Sequence, residues 1–174
     1  MSKPPNADPR IQAQGLLASL AIKSTPIPVE KIAKALGAQV RFAPLDAELS
    51  GMVYIKEGIP IIGVNSLHHP NRQRFTIAHE LGHLELHREM ITTSIHVDKA
   101  FPALMRDSKS ATGTEQIEID ANKFAAELLM PSKLFDEAMA GMQFDIDDDK
   151  PIEELAKKFR VSRQAIEFRI RSLK

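Results

Sequence analysis

The chain has 174 residues, 23 basic and 23 acidic side chains, a formal net charge of zero and 43% apolar residues. That length suits one domain with at most a small appendage, and the apolar share excludes a globally disordered chain. A neutral whole gives no general attraction to nucleic acid or membranes, and the lack of cysteine excludes disulfides and thiolate ligands, so any metal must sit on His, Asp or Glu.

Residues 1–7 read as a loose, proline-rich tail without the apolar core of a signal peptide, and no apolar run approaches the length of a bilayer span. A soluble cytoplasmic protein with no membrane partner is the expectation. Asp8 followed by Pro9 reads as an N-cap with proline at the first helical position, and Ile11, Leu16, Leu17, Leu20 and Ala21 give the apolar stripe of a first helix. "STPIP" breaks the chain. "VEKIAKALG" is a short helix that Gly37 is placed to end in the left-handed conformation. "AQVRFA" reads as a strand, and "GMVYIKEGIPIIGVN" as a hairpin turning at Glu57-Gly58.

After the loop "HHPNR", the stretch "RFTIAHELGHLELH" predicts a helix over roughly 71–88, apolar around most of its circumference and so expected inside the protein. Residues 91–117 show no clear period, and "DSKSATGTEQ", 107–116, reads as a mobile loop. "IEIDANKFAAELLMP" is a second helix dense in Ala, Leu and Phe, stopped by Pro131. "DIDDDKP", 145–151, is an acidic linker. The last 24 residues carry seven Lys or Arg against three Glu, a net +4. The expected division is tail 1–7, core 8–144, linker 145–151 and a C-terminal module 152–174.

His79, Glu80 and His83 form HExxH. On a helix, residues four apart project from one face, so the two imidazoles can converge on one zinc ion, while Glu80 can address a water beside it. A catalytic zinc needs a third protein ligand and an open fourth position. His87 is a poor third ligand: it lies about 12 Å of helix rise from His79, and two nitrogens on one zinc stand no more than about 4 Å apart. The second helix offers Glu118, Asp120 and Glu127. Asp120 points roughly 200° away from Glu118, and Glu127 lies too far along. Glu118 can bind metal, with Asn122 one turn later placed to hydrogen-bond a ligand imidazole; the alternative for Glu118 is a solvated acid near the helix N-terminus, where the macrodipole favours it.

"RFTIAHELGHLELH" followed by "EIDANKFAAELLMP" resembles the ImmA/IrrE family of zinc metallopeptidases, whose pattern pairs an HExxH helix with a downstream ExxAN-x-FAAxLLMP helix. The resemblance extends over residues 28–173, through the hairpin, "NRQRF" and "LAKKFRVSRQAIEFRIRSL". It implies an α+β fold: a mostly helical, gluzincin-like metallopeptidase core with a small β-sheet and a C-terminal helix-turn-helix-like module. It implies Zn2+ on His79, His83 and Glu118, with Glu80 as general base. It also implies a helix-turn-helix repressor as the protein substrate, cleaved to release stress-response or mobile-element genes.

Hydrolysis needs an oxyanion donor besides the metal. Tyr54, His87 and His96 are the candidates, and the hairpin edge could hold an extended substrate by strand addition. In the C-terminal module, Ile152–Phe159 reads as one helix, Val161 as the plug of the turn, and Ser162 as the cap of a second helix. Ala165, Ile166, Ile170 and Leu173 are expected inward; Arg163, Gln164, Arg169 and Arg171 outward. The basic face suits phosphate contact, but Glu167 sits in its middle, which favours packing on the core or protein docking over DNA. The alternative function is a DNA- or partner-binding regulator whose zinc site is not catalytic.

Overall fold

The computed structural model describes residues 7–93, 96–99, 113–145 and 147–173. Helix α1 (Pro9–Ser19) starts at Asp8, whose carboxylate accepts from the Arg10 N–H at 2.9 Å. Helix α2 (Val29–Ala35) runs out into Gly37, which has φ 78°. Strands β1 (Gln39–Ala43), β2 (Leu49–Lys56) and β3 (Ile59–Asn65) follow, then α3 (Pro70–Leu86) and α4 (Arg88–Thr93). Strand β4 (His96–Lys99) precedes α5 (Gly113–Leu129), α6 (Ser132–Met139), α7 (Lys150–Phe159) and α8 (Arg163–Ser172).

The mixed α+β class is as expected, with details that differ. Among the described residues the sheet has four strands in the order β1-β3-β2-β4, with β1 parallel to β3 and the other pairs antiparallel. The hairpin turns at Glu57 and Gly58, both at positive φ, the two-residue turn whose twist matches the strands it joins. Both hairpin strands are interior, because β1 covers β3 and β4 covers β2. Among the described residues, β4 pairs with β2 between Leu49 and Val53 and β1 pairs with β3 over Ile61–Asn65, so those stretches of the hairpin edge are taken up. The second buried helix also begins earlier than its apolar period suggests: α5 takes in residues 113–116, while 107–112 lie outside the described residues. Residues 150–151, read as linker, form the first turn of α7, where a proline costs no hydrogen bond.

One apolar core joins the helices and the inner face of the sheet, with Val53, Ile62 and Val64 meeting Ile77, Leu81, Phe124 and Leu128. The approach of α3 to the sheet depends on Gly51. A Cβ there would lie 2.4 Å from Thr76 Cγ2 and 2.7 Å from the Gly63 carbonyl oxygen, distances no side chain tolerates.

The same core continues into α7 and α8 through Leu155, Phe159, Val161, Ala165 and Ile166, and the Phe135 and Phe159 rings lie 5.3 Å apart. Ser162 caps α8 by accepting from the Ala165 N–H. Polar ties reinforce the contact. Asn71 donates to the Val161 carbonyl at 3.1 Å, and Arg74 donates to the carbonyls of Arg160 and Ile27 at 3.2 and 2.9 Å. Burial holds the Arg74 guanidinium below the usual arginine range, the neighbouring Arg160 charge adding to the effect.

Arg169 of α8 and Leu173, the residue that caps it, depart from the expected pattern. Leu173 is exposed, whereas Arg169 is buried against Glu127 of α5. The helix end frees Leu173 from the core, while Glu127 offers Arg169 a charge that the outer face does not. Arg163, as expected, stays outside, where Asp149 and Glu167 pair with it and raise its pKa.

Candidate metal centre

Helices α3 and α5 cross where two matched triplets meet: His79, Gly82 and His83 on one, Glu118, Ala121 and Asn122 on the other. The helical period brings each triplet onto one face. Gly82 sets how closely they meet. A Cβ on it would stand 3.1 Å from Ala121 Cα, 3.1 Å from the Ala121 carbonyl oxygen and 3.2 Å from Phe124 Cδ1. A glycine in mid-helix costs about 1 kcal/mol against alanine, so its presence inside an otherwise regular apolar helix was the signal that a backbone passes close by.

His79 Nε2 lies 3.1 Å from Glu118 Oε2, His83 Nε2 lies 3.3 Å from Glu118 Oε1, and the two Nε2 atoms are 3.0 Å apart. His79 Nδ1 donates to Asn122 Oδ1 at 2.9 Å. That bond puts the His79 proton on Nδ1 and leaves a lone pair on Nε2, facing a second imidazole nitrogen and a carboxylate. Two imidazole nitrogens and a carboxylate brought together in this way make a donor set that a cation can bind. Ligands about 2.0–2.1 Å from a tetrahedral ion stand about 3.3 Å from one another, close to the spacing of this triangle. The donor set of two nitrogens and one oxygen, with a fourth direction left over, fits a catalytic rather than a structural zinc. The imidazoles are 1–2% exposed and the Glu118 side chain 18%, so the triangle meets solvent on its carboxylate side.

The structure thus brings His79, His83, Glu118 and Asn122 together. Asp120 instead accepts from Gln116 of its own helix at 2.8 Å. Glu80 is fully buried on the sheet side of α3, its Oε1 3.7 Å from where a Gly51 Cβ would lie. Tyr54 is not brought to the triangle. Gly51 and Val53 of β2 face α3, so by alternation Tyr54 leaves the opposite face of the sheet. The His96 side chain lies outside the described residues. His87 lies behind His83, Nδ1 to Nδ1 at 3.2 Å, not beside the triangle.

Gly82→Ala tests the crossing. The added methyl forces α5 back by a few tenths of an ångström while improving helix propensity. Stability is expected to stay within about 1 kcal/mol of the native chain. Metal affinity is expected to fall by about tenfold as Glu118 moves off the two imidazoles. Thermal melting and chelator competition on the same samples check the split.

The family model described as the IrrE N-terminal-like domain, Peptidase_M78, matches residues 33–171. No curated protein matches the chain. Among solved structures, a transcriptional regulator from Mycobacterium tuberculosis superposes with a TM-score of 0.63 at 19% identity, over 94% of this chain and 46% of that one. The fold is shared, and the chain spans less than half the length of the regulator it matches.

Proposed function

The chain belongs to the Peptidase_M78 family of IrrE N-terminal-like domains, and from that premise we propose that it is a zinc-dependent endopeptidase. The observation that carries this reading is the triangle of His79 Nε2, His83 Nε2 and a Glu118 oxygen at 3.0–3.3 Å, with the His79 proton fixed away from it by Asn122. His79, His83 and Glu118 would hold a zinc ion, which would supply Lewis acidity to a water and to the scissile carbonyl. Glu80, one residue on from His79, takes the proton from that water and delivers it to the leaving amine. Asn122 keeps His79 in the ligating tautomer.

The substrate we propose is a helix-turn-helix transcriptional repressor, a protein met in the cytoplasm, cut to release stress-response or mobile-element genes. The resemblance in the two paired motifs supports it. No helix among the described residues is long and apolar enough to cross a membrane. An extended substrate would add to the outer edge of β4. Gly51, which stands against Glu80, pairs with Asp98 of β4, so this edge lies one strand spacing, about 4.8 Å, beyond Gly51. The outer edge of β1 is two strands further across.

The DNA-binding reading loses support from Arg169, which is committed to Glu127 inside the protein, and from Arg163, which is paired with Asp149 and Glu167. Fewer cations remain for phosphates than the net +4 suggests.

The test is metal content together with cleavage of repressors encoded beside the gene. Wild type is expected to carry one zinc per chain and make a discrete cut. A strong chelator is expected to abolish the cut and added zinc to restore it. No zinc after reconstitution would end the proposal, and so would a cut that survives chelation.

A further inference from the structure

Three histidines, His79, His83 and His87, stand one turn apart on α3, and the metal triangle uses two. We propose that His87 is a positioning residue that fixes the proton of His83, as Asn122 does for His79. The inference rests on the metal-centre reading above and extends it by one residue.

His87 Nδ1 lies 3.2 Å from His83 Nδ1, and the rings are tilted at 51° with centroids 5.4 Å apart. The contact is on the back of His83: its other nitrogen, Nε2, faces Glu118 Oε1 at 3.3 Å and His79 Nε2 at 3.0 Å. His87 is itself held in place. It is the C-cap of α3, with its backbone N–H donating to the His83 carbonyl at 2.8 Å. The same residue that ends the helix thus presents its ring to the ligand one turn back.

The proton arrangement follows. A neutral imidazole that offers Nε2 to a cation carries its proton on Nδ1. His83 Nδ1–H then donates to His87 Nδ1, and His87 keeps its own proton on Nε2. Loss of that acceptor removes a contact on the Nδ1 side of His83 that favours the ligating tautomer and helps to set the rotation of its ring. The two ligand imidazoles thus have unlike supports: an amide oxygen from α5 for His79, and an imidazole nitrogen from α3 itself for His83.

Two variants separate this role from simple packing. His87→Asn places an amide oxygen near the position of Nδ1 and preserves the acceptor. His87→Phe keeps a ring of similar volume and removes it. Zinc affinity is measured by competition with a chromophoric chelator, and the metal-free proteins are melted in parallel. His87→Phe is expected to bind zinc about 10–100-fold more weakly and His87→Asn within about threefold of wild type, the range that loss and retention of such a support produce. Melting temperatures without metal are expected to agree. Wild-type affinity in His87→Phe would overturn the role, and so would an equal loss in His87→Asn. A wild type that takes up no zinc would overturn the metal centre itself, an outcome distinct from either.

Discussion

Glu80→Gln is expected to lower peptide cleavage by about 10²–10⁴-fold, the usual worth of a positioned general base, and to leave zinc content at the wild-type level. The two halves of that result come from different parts of the geometry. On the proposed reading, zinc content depends on His79, His83 and Glu118, whose donor atoms form the 3.0–3.3 Å triangle, and Glu80 is not among them. It follows His79 in α3 and so leaves the helix about 100° away, toward the sheet rather than α5. There it is fully buried beside Gly51, in space that only a missing side chain on β2 provides. Glutamine fills that space with the same number of heavy atoms but accepts no proton. His79→Ala differs in kind, removing a corner of the triangle, and is expected to lose zinc and cleavage together. Metal analysis and cleavage measured on all three proteins decide the assignment. Full activity in Glu80→Gln would remove the base from the mechanism. Lost zinc would make Glu80 a support of the centre instead.

The centre was legible because its parts are local. HExxH declares its geometry through the helical period alone, and Glu118 and Asn122 repeat that period on α5. The closeness of the two helices was signalled only by Gly82, a residue that reads as a flaw until its neighbour Ala121 is seen. The hairpin was legible from β-branched runs around Glu57-Gly58, but not the strands that flank it. Four residues, His96–Lys99, carry too little pattern to declare β4, and their pairing with β2 is fixed by contacts distant in sequence. Without β4, the stretch of β2 between Leu49 and Val53 reads as a free edge. Arg169 departs from its sequence pattern for a related reason. A basic residue on an amphipathic helix is outward by default, and only a buried carboxylate on another helix reverses that. Glu127 was visible in the sequence, yet nothing local joins residues 42 positions apart.

That pair carries the other large effect. Arg169→Ala is expected to cost about 3–5 kcal/mol of stability, the range for removing one partner of a buried ion pair. Glu127 is fully buried, and accepts from the Ser132 N–H and hydroxyl at 2.9 Å, from Gln14 at 3.0 Å and from Arg169. Arg169 also donates to the Met130 carbonyl at 2.9 Å and the Ser132 hydroxyl at 3.0 Å. One guanidinium thus ties α8 to the end of α5 and the start of α6. The cost is mostly the carboxylate left behind, so Arg169→Met combined with Glu127→Leu is expected to recover most of the loss. The pH dependence has a fixed sign. Burial pushes the Glu127 carboxyl up, but the Ser132, Gln14 and Arg169 donors together hold it below its ordinary 4.5. A depressed carboxyl contributes stability that is present above pH 4.5 and is lost as the pH falls through the folded value. Without Arg169 the upward push of burial is less opposed, so the acid limb of the stability curve should begin at higher pH. Urea unfolding across pH 3–7 reads both effects, with the double variant as control. Equal midpoints for wild type and Arg169→Ala throughout would mean that α8 is held by its apolar face alone, through Ala165, Ile166 and Ile170, and that the helix carrying Glu118 needs no electrostatic brace.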